Sequence, residues 1–150
     1  MTTRTLTLNQ RLASEGEVPV AYTLALTAEQ RQRSRLRIEY PNGPVIFLRL
    51  PRGTQLQDGD VLQAEDGTTV KVLAQPEPVM TVTADSPLQL LRAAYHLGNR
   101  HVPLEIQPSY LRLSPDPVLR QLLAHQAVQV IDEVQPFYPE RGGYEHSHTD

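Results

Sequence analysis

The chain has 150 residues, with 17 acidic and 14 basic side chains, a net charge of −3 and no cysteine. This length allows one ordinary domain or two small ones, and the lack of thiols excludes disulfides, thiolate metal sites and a cysteine nucleophile. The sequence has neither an apolar run of membrane-spanning length nor a signal-peptide pattern, so we expect a cytoplasmic protein with no membrane partner; its acidic balance argues against nucleic acid.

The first half of the chain has the pattern of short strands separated by turns. Strands are predicted over residues 4–8, 18–26, 33–40, 45–50 and 69–74, with turn sequences such as 41-PNGP-44 and 65-EDG-67 between them. The spacing of Thr27 and Gln30 fits a capping box and predicts one short helical turn. We therefore predict a small all-β domain over residues 1–75, of a kind suited to binding a partner or peptide.

The stretch 31-RQRSRLR-37 is the most basic part of this half. If the stretch is extended, its four arginines share one face and could dock an acidic partner; they are Arg31, Arg33, Arg35 and Arg37. A solvated strand face would explain the same pattern. Too few aromatic residues interleave with the arginines to form a base-stacking surface.

Composition changes across 74-AQPEPV-79, which we interpret as a linker because two prolines interrupt regular structure. Residues 1–75 carry nine basic and eight acidic side chains, whereas residues 76–150 carry five basic and nine acidic side chains. All five histidines lie in residues 76–150. Imidazole and carboxylate together suit borderline divalent cations. The second half is therefore where the sequence predicts metal chemistry.

Helix and strand signals alternate after the linker. A strand over 79–83 precedes a helix that is capped by Ser86 and stops at a left-handed Gly98. The apolar stripe of this helix is formed by Leu88, Leu91 and Tyr95 at i, i+3 and i+7, with Leu90, Ala94 and Leu97 beside them. Residues 101–107 alternate as a strand, residues 110–113 form another, a second helix follows Asp116, and a last strand covers 128–134. This β-α-β-β-α-β order predicts a ferredoxin-like domain over residues 76–138, so the fold class is α+β.

Pro103 lies inside the predicted second strand of this domain. Proline removes a ladder donor, so such a strand belongs at a sheet edge, and the ferredoxin-like order places it there. His101 opens that strand and is expected to be exposed, while His96 lies on the preceding helix. Two copies related by a two-fold axis near this edge would bring their His101 imidazoles together; an ordinary surface histidine is the other interpretation.

The sequence ends in 139-PERGGYEHSHTD-150. Its two glycines and lack of apolar periodicity predict a flexible tail over residues 139–150. His146 and His148 are candidate metal ligands, although a polar terminus without function would have the same composition. His125, near the end of the second helix, is interpreted as structural.

The chain resembles the UreE urease accessory proteins, which are nickel metallochaperones. The resemblance covers essentially the whole chain and is carried by 31-RQRSRLR-37, 50-LPRGTQLQDGDVL-62 and 95-YHLGNRHVPLEI-106. It implies a homodimer in which His101 is the metal ligand at the interface, His146 and His148 add tail ligands, and His96 is a further candidate. Only two tail histidines are present, so bulk nickel storage is not expected.

The resemblance also implies a function and partners. It implies Ni²⁺ delivery to urease apoprotein, together with other urease accessory proteins that include a GTPase. Histidine ligands alone do not separate Ni²⁺ from Zn²⁺ or Cu²⁺. Two alternatives stay open: a protein-interaction adaptor with incidental histidines, and a metal-dependent hydrolase. The latter lacks an H-E-x-x-H motif and a nucleophile elbow, so we do not expect an enzyme.

Overall fold

The computed structural model of the chain describes residues 4–13 and 19–140. The chain divides into two compact units, Met1–Ala74 and Gln75–Asp150, each of which has its own sheet. None of the helices within the described ranges combines the length and the apolar character that crossing a membrane requires.

The first unit contains six strands and one short helix. The elements are β1 (Thr5–Leu12), β2 (Tyr22–Leu26), α1 (Ala28–Arg31), β3 (Arg35–Glu39), β4 (Val45–Arg49), β5 (Val61–Ala64) and β6 (Thr69–Ala74). The capping box that opens α1 is confirmed: the Gln30 N–H donates to Thr27 Oγ1, and the Thr27 N–H donates to the Gln30 side chain. Five of the strands were predicted, and β5 was missed.

These strands form one mixed sheet in the order β2-β6-β5-β1-β4-β3. One face of the sheet is lined by aliphatic side chains that alternate along each strand and pack into a common core; fully buried members include Leu8, Leu26, Ile46 and Leu62. β3 lies at an edge and pairs with β4 through the 41-PNGP-44 turn, in which Asn42 has a φ of 56°.

The second unit has the predicted β-α-β-β-α-β order. Its elements are β7 (Glu77–Thr83), α2 (Pro87–Gly98), β8 (Glu105–Ile106), β9 (Leu111–Leu113), α3 (Pro117–Ala124) and β10 (Gln129–Gln135). The strands are antiparallel neighbours in the order β10-β7-β9-β8, which confirms the ferredoxin-like arrangement and the edge position of the second strand. β7 begins two residues earlier than predicted and includes Pro78.

Both helices of this unit begin as predicted. The Ser86 hydroxyl accepts from the Gln89 N–H, and the Asp116 carboxylate accepts from the N–H groups of Val118 and Leu119, while proline follows each cap. In α3, Leu123 is buried. The caps satisfy N–H groups that have no acceptor within the helix.

Only the flanking residues of the predicted apolar stripe of α2 pack against the core. Leu88, Leu91 and Tyr95 are 53%, 67% and 66% exposed. The core is instead contacted by a second stripe at i, i+3, i+4 and i+7, formed by Leu90, Ala93, Ala94 and Leu97. The helix is thus apolar on two faces, and only one of them packs within its own unit.

Candidate metal centre

The sequence predicted that His101 opens a strand. In the structure, His101 lies instead in the turn that ends α2. The N–H of His101 donates to the Gly98 carbonyl oxygen at 3.0 Å, and the N–H of Val102 donates to the Leu97 carbonyl oxygen at 3.4 Å. This pair of bonds is the Schellman motif, in which the residue before the last donor has a left-handed backbone. That residue is His101, with a φ of 57°, and not Gly98.

Glycine normally occupies this position because a side chain there costs free energy. A histidine in the left-handed region is uncommon, and such conformations are found preferentially at functional sites. Leu97 is buried in the core and Val102 packs against the same core, which agrees with the hydrophobic pairing that commonly accompanies the motif. The fold therefore holds the His101 backbone firmly while its side chain remains exposed.

His96 lies in the last turn of α2, five residues before His101, and is also exposed. Its ring meets the ring of Tyr95 edge to face, with centroids 5.4 Å apart. The two histidines therefore lie toward the same end of α2, one on the helix and one in the turn that closes it. The outward apolar face of Leu88, Leu91 and Tyr95 runs along the same helix.

The remaining candidate histidines do not join these two within the described structure. His125 is the C-cap of α3 and is exposed. His146 and His148 lie outside the described residues. Across residues 4–13 and 19–140, no group of three or more His, Asp or Glu side chains is arranged to hold an ion.

The strand alternation predicted for residues 101–107 is wrong. β8 contains only Glu105 and Ile106, and Pro103 precedes it. The alternation predicted that Ile106 faces the core with Val102 and Leu104 and that Glu105 faces the other way, but Glu105 is 1% exposed and Ile106 is 50% exposed. His101 and Val102 belong to the Schellman turn and therefore not to a strand. Glu105 is buried with its carboxylate accepting hydrogen bonds from the Gln107 side chain and from the Tyr138 N–H.

The four predicted partner-binding arginines do not share one face. Arg31 is in α1, is 6% exposed and donates from Nε to the Leu26 carbonyl oxygen at 3.3 Å, so it cannot belong to an outer surface. Arg33 is exposed and forms an i,i+4 ion pair with Glu29. The prediction failed for Arg31 because the stretch is helical at its start and extended only from Arg35.

Arg35 and Arg37 do share the outer face of β3 and are exposed. Arg37 pairs with Glu39 at 3.0 Å. Arg35 stands directly opposite Arg49 on β4, and within the described ranges no ion pair involves either of these two guanidinium groups. Arg49 was not among the predicted arginines, although the register of a hairpin through 41-PNGP-44 places it opposite Arg35.

Comparison with known proteins agrees with this architecture. The model of the UreE urease accessory protein N-terminal domain matches residues 5–75, and that of the C-terminal domain matches residues 77–150. Proteins named urease accessory protein UreE are similar over 95–96% of this chain: one from Nostoc sp. (strain PCC 7120) is 56% identical over 98% of its own length, and one from Nostoc punctiforme is 53% identical over 99%. A third, from Burkholderia lata, is 46% identical over 95% of this chain and 71% of its own length.

Proposed function

This chain belongs to the UreE family of urease accessory proteins, and we propose that it is a nickel metallochaperone that binds Ni²⁺ as a homodimer and delivers it to urease while the active site is assembled. The chain is an accessory protein and not an enzyme. Nickel is its cargo, and capture and release of that cargo are the steps its residues must perform.

The observation that carries this proposal is the conformation of His101. An exposed histidine occupies the left-handed position of a Schellman turn, where glycine would cost less free energy. Strain retained at an exposed, chemically capable side chain is best explained by a function of that side chain. Imidazole nitrogen is a suitable ligand for Ni²⁺.

One imidazole is a weak site, so the proposal places a second copy of the chain against the first. The outward face of α2 supports this arrangement because Leu88, Leu91 and Tyr95 are each more than half exposed and run toward the turn that carries His101. Burying such a face between two copies is favourable. A two-fold axis close to this end of α2 would let the two His101 imidazoles share one ion, with His96 beside them and the tail histidines His146 and His148 as further ligands.

Release is as important as capture for a carrier. Metal binding requires neutral imidazoles, so protons compete with nickel as the pH falls. Zn²⁺ and Cu²⁺ can bind the same ligands, and Cu²⁺ binds nitrogen ligands more tightly than Ni²⁺. The preference for nickel therefore rests on family membership and not on ligand chemistry.

Delivery requires contact with other proteins, which we propose to be urease apoprotein and other urease accessory proteins, including a GTPase, in the cytoplasm. The outer face of the β3–β4 hairpin is the candidate surface. It combines Arg35, Arg37 and Arg49 with the partly buried ring of Phe47, which stands directly opposite Arg37. Arginine and aromatic side chains are enriched where binding energy concentrates, and the like charges of Arg35 and Arg49 would be relieved by an acidic partner.

The direct test is a calorimetric titration of nickel into the wild-type protein and two variants. His101→Gly removes the imidazole and suits the left-handed backbone, so the strongest site should disappear while the fold is retained. His125→Ala is the matched control because it removes an exposed histidine from the end of α3, and its affinity should equal that of the wild type. Unchanged nickel affinity in His101→Gly would refute the proposal.

A further inference from the structure

One edge of the six-stranded sheet is open. β3 (Arg35–Glu39) is the last strand in the sheet order, and within the described ranges β4 is the strand that pairs with it. An edge strand presents a row of backbone N–H and C=O groups to which another strand can bond, and proteins often block such an edge with a proline or a bulge. β3 contains no proline, and its register against β4 is uninterrupted over all five residues. The backbone of β3 therefore permits the addition of a further strand.

The register of the β3–β4 hairpin shows which backbone groups face the open edge. At its two ends, the Tyr40 N–H donates to the Pro44 carbonyl oxygen at 3.1 Å, and the Leu50 N–H donates to the Ser34 carbonyl oxygen at 2.9 Å. Antiparallel strands exchange such bonds at every second residue, so the even-numbered residues of β3 bond to β4. The backbone groups of the odd-numbered residues point away from β4, and no other element in the described part of the chain is hydrogen-bonded to them.

The odd-numbered residues of β3 also carry its charges. Their side chains, Arg35, Arg37 and Glu39, are exposed on the outer face of the sheet, whereas Leu36 and Ile38 are partly buried against the core of the unit. In an antiparallel pair, the side chains of directly opposed residues lie about 5 Å apart on the same face. A strand added at this edge would therefore place one side chain opposite each charged residue and the next one opposite an aliphatic residue.

The charge of the hairpin indicates what kind of strand fits. Residues 34–50 contain three arginines and one glutamate. Arg35 stands opposite Arg49, and like charges in that position are destabilising. Arginines at an edge deter a neutral or basic strand, and a second copy of the hairpin would bring three more guanidinium groups to the same edge. A segment that carries carboxylates would instead relieve the repulsion.

We propose that the open edge of β3 binds an extended acidic segment of a partner protein, which adds antiparallel to the six-stranded sheet with its carboxylates opposite Arg35 and Arg37. Apolar side chains at the alternate positions of that segment would extend the row formed by Leu36 and Ile38. Backbone hydrogen bonds would supply affinity and the alternating side chains specificity, as in other cases of strand addition. This inference rests on the proposed function, because it names the part of a delivery partner that the basic hairpin takes.

The first test uses the wild-type chain and a fluorescein-labelled octapeptide in which glutamate and valine alternate, with binding followed by fluorescence anisotropy in the absence of nickel. A lysine–valine peptide of the same length should bind about tenfold more weakly. Directly opposed residues exchange both hydrogen bonds at this edge, so the glutamate N–H groups are the ones that bond to β3. Methylation of the glutamate nitrogens should weaken binding by about tenfold or more, whereas methylation of the valine nitrogens should not. Equal affinities for the two methylated peptides would overturn the inference.

The second test changes the edge itself. Arg37→Pro removes an N–H that faces the open edge and leaves the bonds to β4 in place, whereas Arg37→Ala keeps that N–H and loses the same charge. We expect Arg37→Ala to bind the glutamate–valine peptide about threefold more weakly than the wild type, and Arg37→Pro to bind it about tenfold more weakly than Arg37→Ala. Circular dichroism would verify that both variants are folded. Equal affinities for the two variants would contradict strand addition.

Two further readouts separate the possible outcomes. If the peptide does not bind and Arg37→Pro lowers the mass of the protein in light scattering, the edge belongs to a second copy of the chain and the inference is overturned. Nickel affinity should be the same in Arg37→Pro and in the wild type, because the substitution lies in the first unit. Failure of peptide binding therefore leaves the nickel titration of His101→Gly as an independent test of the proposed function.

Discussion

The backbone N–H of Val102 donates to the carbonyl oxygen of Leu97, 3.4 Å away, and the loop closed by this bond contains a left-handed His101. The donor lies five positions after the acceptor, which is the spacing of the longer bond in a Schellman motif. The motif costs the least conformational free energy when its left-handed residue is glycine. Here the left-handed residue is His101. A glycine at this position would make the turn more stable.

The first prediction follows from that conformation. His101→Gly should be more stable than His101→Ala by about 1 kcal/mol, because only glycine adopts the left-handed region without a steric cost. Both variants should lose the strongest nickel site. Chemical denaturation would measure the stability difference, and calorimetry the binding. An alanine variant as stable as the glycine variant would mean that the turn is not strained at His101.

A second prediction concerns the outward face of α2. Leu91→Glu should convert the proposed dimer to monomer without unfolding the chain, because Leu91 is 67% exposed in the single chain and its charged replacement would be desolvated only in the dimer. Light scattering would report the mass, and circular dichroism the fold. The matched control is Val118→Glu on α3, where the native side chain is 63% exposed. An unaltered dimer in Leu91→Glu would place the interface elsewhere.

A third prediction concerns the basic face of β3 and β4. The double substitution Arg35→Glu, Arg49→Glu should weaken binding of an acidic partner at least tenfold. The loss should come mainly from a slower association rate, because charged groups at the rim of an interface steer the encounter of the two proteins. Nickel affinity should not change. Association with the proposed partners, urease apoprotein and a GTPase accessory protein, would be measured by surface plasmon resonance at two salt concentrations. Arg4→Glu, an exposed arginine on the same unit that already pairs with Asp66, is the control.

Asp66 gives a fourth prediction, which concerns stability against acid. The backbone N–H of Thr68, which donates to Asp66 Oδ1 at 2.9 Å, lowers the pKa of this carboxyl, helped by the Thr68 hydroxyl and by Arg4. Because the folded-state pKa is depressed, the stabilising contribution is complete above the unfolded-state pKa and is lost as the pH falls through the folded value. Asp66→Asn should therefore flatten the fall in stability below about pH 4. An identical acid profile in denaturation experiments would contradict this assignment.

Much of the fold could be predicted because local signals and tertiary structure agree. Thr27, Ser86 and Asp116 cap helices where their spacing indicated, and the order of elements in the second half was enough to predict the strand order. The strand β5 was missed because 61-VLQA-64 is short and follows a turn, so its period is not visible in the sequence.

The buried face of α2 could not be chosen from one sequence. Two apolar stripes fit the helical period equally well, one through Leu88 and Leu91 and the other through Leu90 and Leu97. Periodicity shows that a face is apolar but does not say which neighbour covers it. The predicted stripe was centred on Leu88, Leu91 and Tyr95, which are exposed, and this exposed face is the one we propose for the second copy.

The exposure of His101 was predicted, but its place in the turn after α2 and its left-handed conformation were not. Gly98 was the natural candidate for the left-handed stop, since glycine is the usual residue there. Tertiary packing of Leu97 and Val102 into one core instead moves the turn three residues along the chain. Burial of Glu105 has the same kind of origin, because its hydrogen bond to Tyr138 joins residues that are far apart in sequence.

The central claim is that two copies of the chain bind one nickel ion through equivalent His101 side chains. Anomalous diffraction at the nickel edge from crystals grown with one Ni²⁺ per dimer tests it directly. We predict a single strong peak on the two-fold axis, within coordination distance of both His101 imidazoles. A peak elsewhere on the chain, or full occupancy at a site that involves one copy and leaves His101 unliganded, would contradict the claim.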